Sequence, residues 1–152
     1  GNLHQGLPMT TVVAHVPSMT MTADRRVTIG DGVLGDMTKI VRRRGCLFGF
    51  CGDVARVPET IEAFLSGKPV RDTGVELLVL RPEGAIWHVD GCGRGSPIES
   101  PWCAIGSGSQ FALGALDAGS TPKQALQIAH GRDAKTGSRI NSLKLKRKSH
   151  VK

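Results

Sequence analysis

The sequence predicts an α+β fold in which antiparallel strands come first and helices are inserted between hairpins. Two observations support this prediction. Short β-branched or alternating segments, separated by glycine, aspartate and proline turns, fill residues 10–51 and recur from residue 75. Helix-start signals followed by apolar residues at helical spacing occur at Pro58 and at Thr121, and a further helix is predicted before Gly119. The 152 residues suit a single domain, without an internal repeat or an interdomain linker.

The strands are predicted from residue type and from the turns that bound them. Thr10–Val16 is rich in β-branched residues, and Ser18–Asp24 alternates methionine and alanine with threonine. Lys39–Arg43 and Cys46–Cys51 form a hairpin pair around Arg44-Gly45. Further strands are predicted over 27–29, Val75–Leu80, Ala85–Val89 and Trp102–Ile105.

The three helices are predicted from their ends. The first begins at Pro58 and is terminated by Gly67. The second follows Gly106-Ser107-Gly108-Ser109 and runs to about Ala118. The third starts at Thr121-Pro122-Lys123-Gln124, which supplies an N-cap, a proline at the first helical position and a capping-box glutamine.

Both ends of the chain are predicted to lie outside the folded domain. Residues 1–9 are irregular and are interpreted as a leader or propeptide segment. The domain is assigned to residues 10–143, and the basic residues 144–152 are predicted to form a disordered tail.

Composition excludes several functional classes. The longest apolar runs, such as Val75–Leu80, are too short to cross a bilayer. The four cysteines form no CxxC pair, and the five histidines form no HExxH or HxH pair, so neither a metal nor another cofactor is expected. Reduced, mostly buried thiols favour a cytoplasmic protein.

The net charge of +7 raises the possibility of a nucleic-acid partner. Much of the excess lies in two short runs, Arg42–Arg44 and Lys144–Lys152. No aromatic residue interleaves with either run, so a stacking platform for single strands is not supported. A solvated strand end and a basic terminus explain the charge as well, and nucleic acid is not expected as the main partner.

Thr10 is the candidate nucleophile. If Met9 is the true start and is removed, Thr10 combines a hydroxyl nucleophile with an α-amine base in one residue. An α-amine titrates near pH 7.7–8.0, close to working pH, where a general base is most useful. Threonine is also a common strand residue, so Thr10 is not diagnostic by itself.

Several segments, in collinear order, resemble the proteasome β-subunit group of N-terminal nucleophile hydrolases, and within it the bacterial HslV-type peptidases. They are Met9-Thr10-Thr11-Val12-Val13, the block 35–43 (GDMTKIVRR), Gly49-Phe50-Cys51-Gly52, and 104–109 (AIGSGS). The segment 132–137 (RDAKTG) is more similar to the proteasome β-subunits than to HslV. Each segment is weak evidence alone, but the ordered set covers most of Met9–Ser142.

The resemblance implies a four-layer αββα sandwich of two antiparallel sheets and a role for each matching residue. It assigns Thr10 as the nucleophile, Lys39 as the lysine that tunes it and Asp24 as the carboxylate that orients this lysine. Gly52 is implied to be the main-chain oxyanion donor, and Ser107 the serine beside the amine. Asp133 and Thr136 are implied to brace the site, and Phe50 to lie near the pocket for the substrate residue before the cleaved bond.

The residues themselves leave simpler interpretations open. Asp24 could be a turn carboxylate beside two arginines, and Lys39 could be an exposed strand lysine. Ser107 could cap the helix that follows it, and Gly52 could serve only a tight turn. Asp133 could be a solvated residue at a helix end.

The sequence departs from the resembling family between the first helix and the next strand. Only Gly67–Gly74 remain where that family has a long second helix, so one helical layer is expected to be trimmed. The resemblance implies a threonine-type endopeptidase that forms a homo-oligomeric ring, cleaves polypeptides and works with an ATPase unfoldase cap that would use the ATP. A small-molecule amidohydrolase on the same fold, an inactive ring subunit and a basic nucleic-acid binder are the alternatives.

Overall fold

The computed structural model describes residues 10–29, 32–132 and 139–148. The strands are β1 Thr11–His15, β2 Thr20–Asp24, β3 Arg26–Ile29, β4 Gly32–Asp36, β5 Ile40–Arg43, β6 Cys46–Gly52, β7 Val75–Leu80, β8 Ile86–Val89, β9 Gly95–Ile98, β10 Trp102–Gly106 and β11 Ile140–Lys144. The helices are α1 Val57–Ser66, α2 Ser109–Asp117 and α3 Pro122–Arg132, with a short 3-10 helix at Val54–Arg56.

The strands form two antiparallel sheets and a separate hairpin. The first sheet has the order β10-β1-β2-β11, and the second has the order β5-β6-β7-β8-β9. The β3–β4 hairpin stands apart from both. The predicted hairpin around Arg44-Gly45 joins β5 to β6, with Arg43 opposite Cys46.

Alternation along the strands determines which side chains face each layer. In β7, Leu78 and Leu80 face the core between the sheets, where they meet Val12 and Met21 of the first sheet. Gly49 lets the sheets approach closely, because a Cβ there would lie 2.4 Å from Val12 Cγ1 and 2.8 Å from Met21 Sδ. A side chain at this position would require the Val12 and Met21 side chains to shift.

The opposite faces of the two sheets are covered by helices. Leu77 and Val79 of β7 pack against α1, and Val13 of β1 packs against α2 and α3. The predicted αββα sandwich is therefore confirmed. The predicted capping box at the start of α3 is also present: Thr121 N donates to Gln124 Oε1 at 2.9 Å, and Gln124 N donates to Thr121 Oγ1 at 3.2 Å.

The helical layer on the second sheet consists of α1, as the short connection 67–74 predicts. Gly67 ends the helix in the left-handed conformation at φ 71°, and no helix occurs among the described residues from there to Val75. Thr73 anchors the connection, because its hydroxyl lies 2.6 Å from that of Thr60 and donates to Gly91 O at 3.0 Å. The trimmed layer is thus closed by a loop with specific hydrogen bonds.

The basic segment after β11 differs from the disordered tail that the sequence predicts. Leu145 is buried in the core between the sheets, and its N–H donates to Met19 O at 2.8 Å. Lys148 N donates to Pro82 O at 2.8 Å. Residues 144–148 therefore belong with the folded domain, because one apolar side chain among the lysines fills the core. In the described part of the chain, no helix is long and apolar enough to span a membrane.

Candidate active site

Thr10 lies directly before β1 and is 3% exposed. Its hydroxyl donates a hydrogen bond to Asp24 Oδ1, and its carbonyl oxygen accepts from Ser107 N at 2.8 Å. Gly106 passes against the same carbonyl with φ 100°, and a Cβ on it would lie 1.6 Å from Thr10 O. Glycine is therefore required there, and the Thr10 backbone is held between β2 and the end of β10.

Asp24 and Lys39 form a buried ion pair beside Thr10. Asp24, the last residue of β2, is fully buried, and its Oδ1 also accepts from Thr11 N at 2.9 Å. Lys39, just before β5, is 4% exposed, and its Nζ donates to Asp24 Oδ2 at 3.1 Å and to Arg26 O. Neither residue fits the simpler interpretation of a solvated turn carboxylate or an exposed strand lysine.

The electrostatics of the pair follow from this burial. Desolvation lowers the pKa of the Lys39 ammonium, and the negative charge of Asp24 opposes part of that shift. The carboxylate receives donors on both oxygens, so its charge is compensated although water is excluded. A hydroxyl, a carboxylate and an ammonium whose pKa is lowered therefore meet at one end of the sandwich.

Gly52 and Ser107 lie on the same cleft as Thr10. Gly52 ends β6 with φ 102°, and a Cβ there would lie 2.0 Å from Gly74 O. Ser107 precedes Gly108, the N-cap residue of α2, so Ser107 is not the N-cap. Gly108 N instead donates to Thr11 Oγ1 at 3.0 Å, which ties the start of α2 to β1.

The cleft beside Thr10 has a volume of about 680 Å³ and is lined by residues from both sheets and two loops. The lining residues are Thr10, Cys51, Gly52, Asp72, Gly74, Val75, Glu76, His88, Asp90, Gly91, Ala104, Ile105, Gly106, Ser107 and Ser109. Three of them are carboxylates, and none is lysine or arginine. The cleft is therefore acidic, although the protein as a whole is basic.

Glu76 organises the polar wall of the cleft, a feature that the sequence analysis did not identify. Its Oε2 lies 2.6 Å from His88 Nε2, and its Oε1 accepts from Cys51 Sγ at 3.4 Å. Burial and the Glu76 charge raise the pKa of the Cys51 thiol, so this thiol remains protonated and is a poor nucleophile. The sequence signal for Glu76 was its place as the single charged residue in the apolar run 75–80 (VELLVL). Strand alternation puts Glu76 on the same face as Leu78 and Leu80, where a carboxylate is unusual.

Of the predicted site residues that the structure describes, Asp24, Lys39 and Phe50 are not among those that line the cleft. Phe50 is 5% exposed and packs in the cluster beneath α1, which also contains the cleft residue Val75, so its place in a substrate pocket stays a prediction. Asp133 and Thr136 lie outside the described residues, so their bracing role stays a prediction. Among the residues that the structure describes, no group of three histidine, cysteine or acidic side chains could hold a metal ion.

Solved structures of two proteins share this arrangement of sheets and helices. HslV from Trypanosoma brucei is 23% identical, with a TM-score of 0.72 over 88% of this chain and 97% of that one. The chain has the HslV fold. BPH from Thiobacillus denitrificans, solved in complex with epoxomicin, is 18% identical with a TM-score of 0.65 over 89% of this chain and 96% of that one. No protein-family model and no curated protein sequence matches the chain.

Proposed function

We propose that this protein is a threonine-type endopeptidase whose nucleophile is Thr10, exposed as an amino terminus by removal of residues 1–9. The observation that supports this proposal most directly is the buried contact of the Thr10 hydroxyl with Asp24, which Lys39 holds from its other oxygen. The HslV fold adds support at the level of the fold, because it is the fold that the sequence resemblance implied.

In the proposed reaction, the neutral α-amine of Thr10 takes the proton of its own hydroxyl as Oγ1 attacks the scissile carbonyl. Gly52 N–H is assigned to the oxyanion. The C–N bond then breaks, the departing amine receives the proton, and an acyl ester remains on Oγ1. Water, deprotonated by the same α-amine, attacks the ester; the bond between the acyl carbon and Oγ1 breaks, Oγ1 takes the proton back from the amine, and the second product leaves as a carboxylic acid.

Lys39 and Asp24 would tune and position these groups. A cation beside the Thr10 amine disfavours the protonated amine and so lowers its pKa, which keeps the base available near neutral pH. Asp24 orients the lysine and, through Thr11 N, fixes the strand that carries the nucleophile. Both are positioning residues in this scheme, and Thr10 is the residue that becomes acylated.

The proposal is tested by intact mass and amino-terminal sequencing, followed by turnover of fluorogenic peptides. We expect a mature chain that begins at Thr10, no turnover by Thr10→Ala, and partial turnover by Thr10→Ser, which keeps the hydroxyl. Epoxomicin should add mass to the mature parent protein and not to Thr10→Ala. A retained leader with parental turnover in the alanine variant would refute the assignment of Thr10.

We further propose that the subunit works in a homo-oligomeric ring and needs no cofactor of its own, the ATP being consumed by a partner unfoldase. Because the helical layer at 67–74 is trimmed, the ring should dissociate on dilution or in moderate salt. Light scattering across a dilution series, read beside specific activity on polypeptides, tests this assembly. The protein would instead be an amidohydrolase if it is a monomer that hydrolyses small amides at every concentration and does not cleave peptides. A stable ring without turnover would favour an inactive subunit.

A further inference from the structure

The two basic runs, Arg42–Arg44 and Lys144–Lys148, are a hundred residues apart in the sequence but adjacent in the fold. Arg42 Nη2 donates to Lys144 O at 3.2 Å, which joins the β5–β6 hairpin to the end of β11. Arg44, Lys146 and Lys148 are exposed around this contact. The tertiary structure thus merges two weak charge clusters into one.

The β7–β8 turn adds a third segment to this surface. Lys148 N donates to Pro82 O at 2.8 Å, and a Cβ on Gly84 would lie 3.0 Å from Arg147 Nη2. Arg81 opens the same turn. We call the combined surface the basic edge: Arg42, Arg43, Arg44, Arg81, Lys144, Lys146, Arg147 and Lys148.

Few carboxylates compensate these eight cations. Arg43 pairs with Glu62 at 3.5 Å, and Arg81 pairs with Glu83 at 3.2 Å. Glu99, which follows β9, is the third acidic residue at this end of the second sheet. The remaining excess of five cations is most of the net charge of +7 that the whole chain carries.

The basic edge lies at the opposite end of the sandwich from Thr10. Strand β6 runs from Cys46, beside the basic hairpin, to Gly52 in the cleft, and β11 likewise runs from Ile140 opposite Asp24 to Lys144. Seven strand residues span roughly 20 Å. The edge is therefore separate from the candidate active site.

We propose that the basic edge binds the phosphate backbone of double-stranded nucleic acid without sequence selectivity. A dense row of guanidinium and ammonium groups matches a polyanion whose charges repeat at short intervals. The exposed large hydrophobic residues of the described chain are Phe111 and Ile128, which lie on α2 and α3 rather than on this edge. The edge therefore lacks the aromatic groups that stack single strands and the apolar anchors typical of protein interfaces.

In the sequence, the absence of aromatic residues beside the basic runs argued against a nucleic-acid partner. Aromatic residues matter for stacking on unpaired bases, whereas backbone binding to a duplex depends on how many cations face it together. That number follows from the contact between Arg42 and Lys144, which no sequence pattern shows.

The test uses fluorescence anisotropy of the full chain with labelled 20-base-pair duplexes of two unrelated sequences over a salt series. The test variant is Arg44→Gln/Lys146→Gln/Lys148→Gln, and the matched control is Lys68→Gln/Arg94→Gln/Lys123→Gln, which removes the same charge from exposed positions elsewhere. We expect equal affinity for both sequences. The test variant should bind at least tenfold more weakly, with the slope of log K against log salt reduced by about 3. The control should stay within about twofold of the parent.

Several results would overturn the proposal. Equal losses of duplex affinity in the two variants would show that net charge alone governs binding. If the parent does not bind duplex at low salt, the basic edge is not a nucleic-acid site. Tighter binding of poly-glutamate, or of vesicles rich in anionic lipid, would assign the edge to an acidic protein or a membrane. The Thr10→Ala variant should bind duplex like the parent, so this test is independent of the proposed peptidase activity.

Discussion

Lys39 and Lys146 lie at opposite ends of the sandwich, and the same type of side chain differs there in burial and in pairing. Lys39 is 4% exposed, paired with Asp24 and fixed next to Thr10. Lys146 is exposed in the basic edge, where cations outnumber carboxylates. Burial at the cleft end fixes the geometry of a few charges and lowers the pKa of Lys39. Exposure at the other end leaves many charges free to act together at longer range.

The largest expected difference between the two ends is in stability. Asp24→Asn leaves the buried Lys39 ammonium without its counter-charge and should cost about 3–5 kcal/mol of the free energy of unfolding. Glu62→Gln, which breaks the exposed pair with Arg43 at the basic edge, should cost about 0–1 kcal/mol. Urea unfolding monitored by circular dichroism measures both. The double variant Asp24→Asn/Lys39→Met should recover part of the loss, and equal costs at the two ends would contradict the comparison.

The next effect is on catalysis. In the mature chain, Lys39→Ala should lower kcat on the order of a hundredfold, because the electrostatic support of the Thr10 amine is lost. Lys39→Arg should not restore the rate, since a forked guanidinium does not replace a compact ammonium in this buried position. Arg44→Ala, at the basic edge, should leave kcat unchanged. Initial rates with a fluorogenic peptide, measured together with the melting temperature, distinguish a loss of catalysis from a loss of folding. Unchanged kinetics in Lys39→Ala would show that the lysine has no part in the site.

A smaller effect should appear in substrate preference, because the cleft is lined by carboxylates and not by cations. Peptides that differ only in carrying arginine or glutamate should differ in kcat/KM by about fivefold in favour of arginine. Glu76→Gln should reduce this ratio. Glu59→Gln, an exposed change on α1, is the matched control and should leave it intact. A parental ratio in Glu76→Gln would show that this wall does not contact the substrate.

The smallest effect is a pH dependence of stability. Burial lowers the Lys39 pKa from 10.5, so between the lowered value and 10.5 the unfolded chain binds more protons than the folded one. The contribution of Lys39 to stability should therefore increase as pH rises through this window, by at most about 1.4 kcal/mol per pH unit. The Asp24→Asn/Lys39→Met variant should lack this increase, whereas Lys146→Met should retain it. Chemical unfolding at a series of alkaline pH values measures the three slopes.

The sequence determined the features that depend on local physics. Turn residues, capping signals and β-branched segments located most strands and all three described helices, because these preferences act over a few neighbouring residues. The ordered set of segments around Thr10, Lys39, Gly52, Ser107 and Asp133 also indicated the HslV fold, which the comparison of structures confirms. The absence of a second helix at 67–74 could be read directly from the length of that segment.

Only the tertiary structure decided which charges are buried and which surfaces form. Asp24 and Lys39 each had a simpler interpretation until the sheet register placed one carboxylate between Thr10 and the lysine. The segment after β11 looked disordered because its lysines dominate the composition, but a single leucine anchors it in the core between the sheets. The acidic cleft and the basic edge both join residues distant in sequence, and such contacts depend on strand pairing and packing that no local pattern encodes.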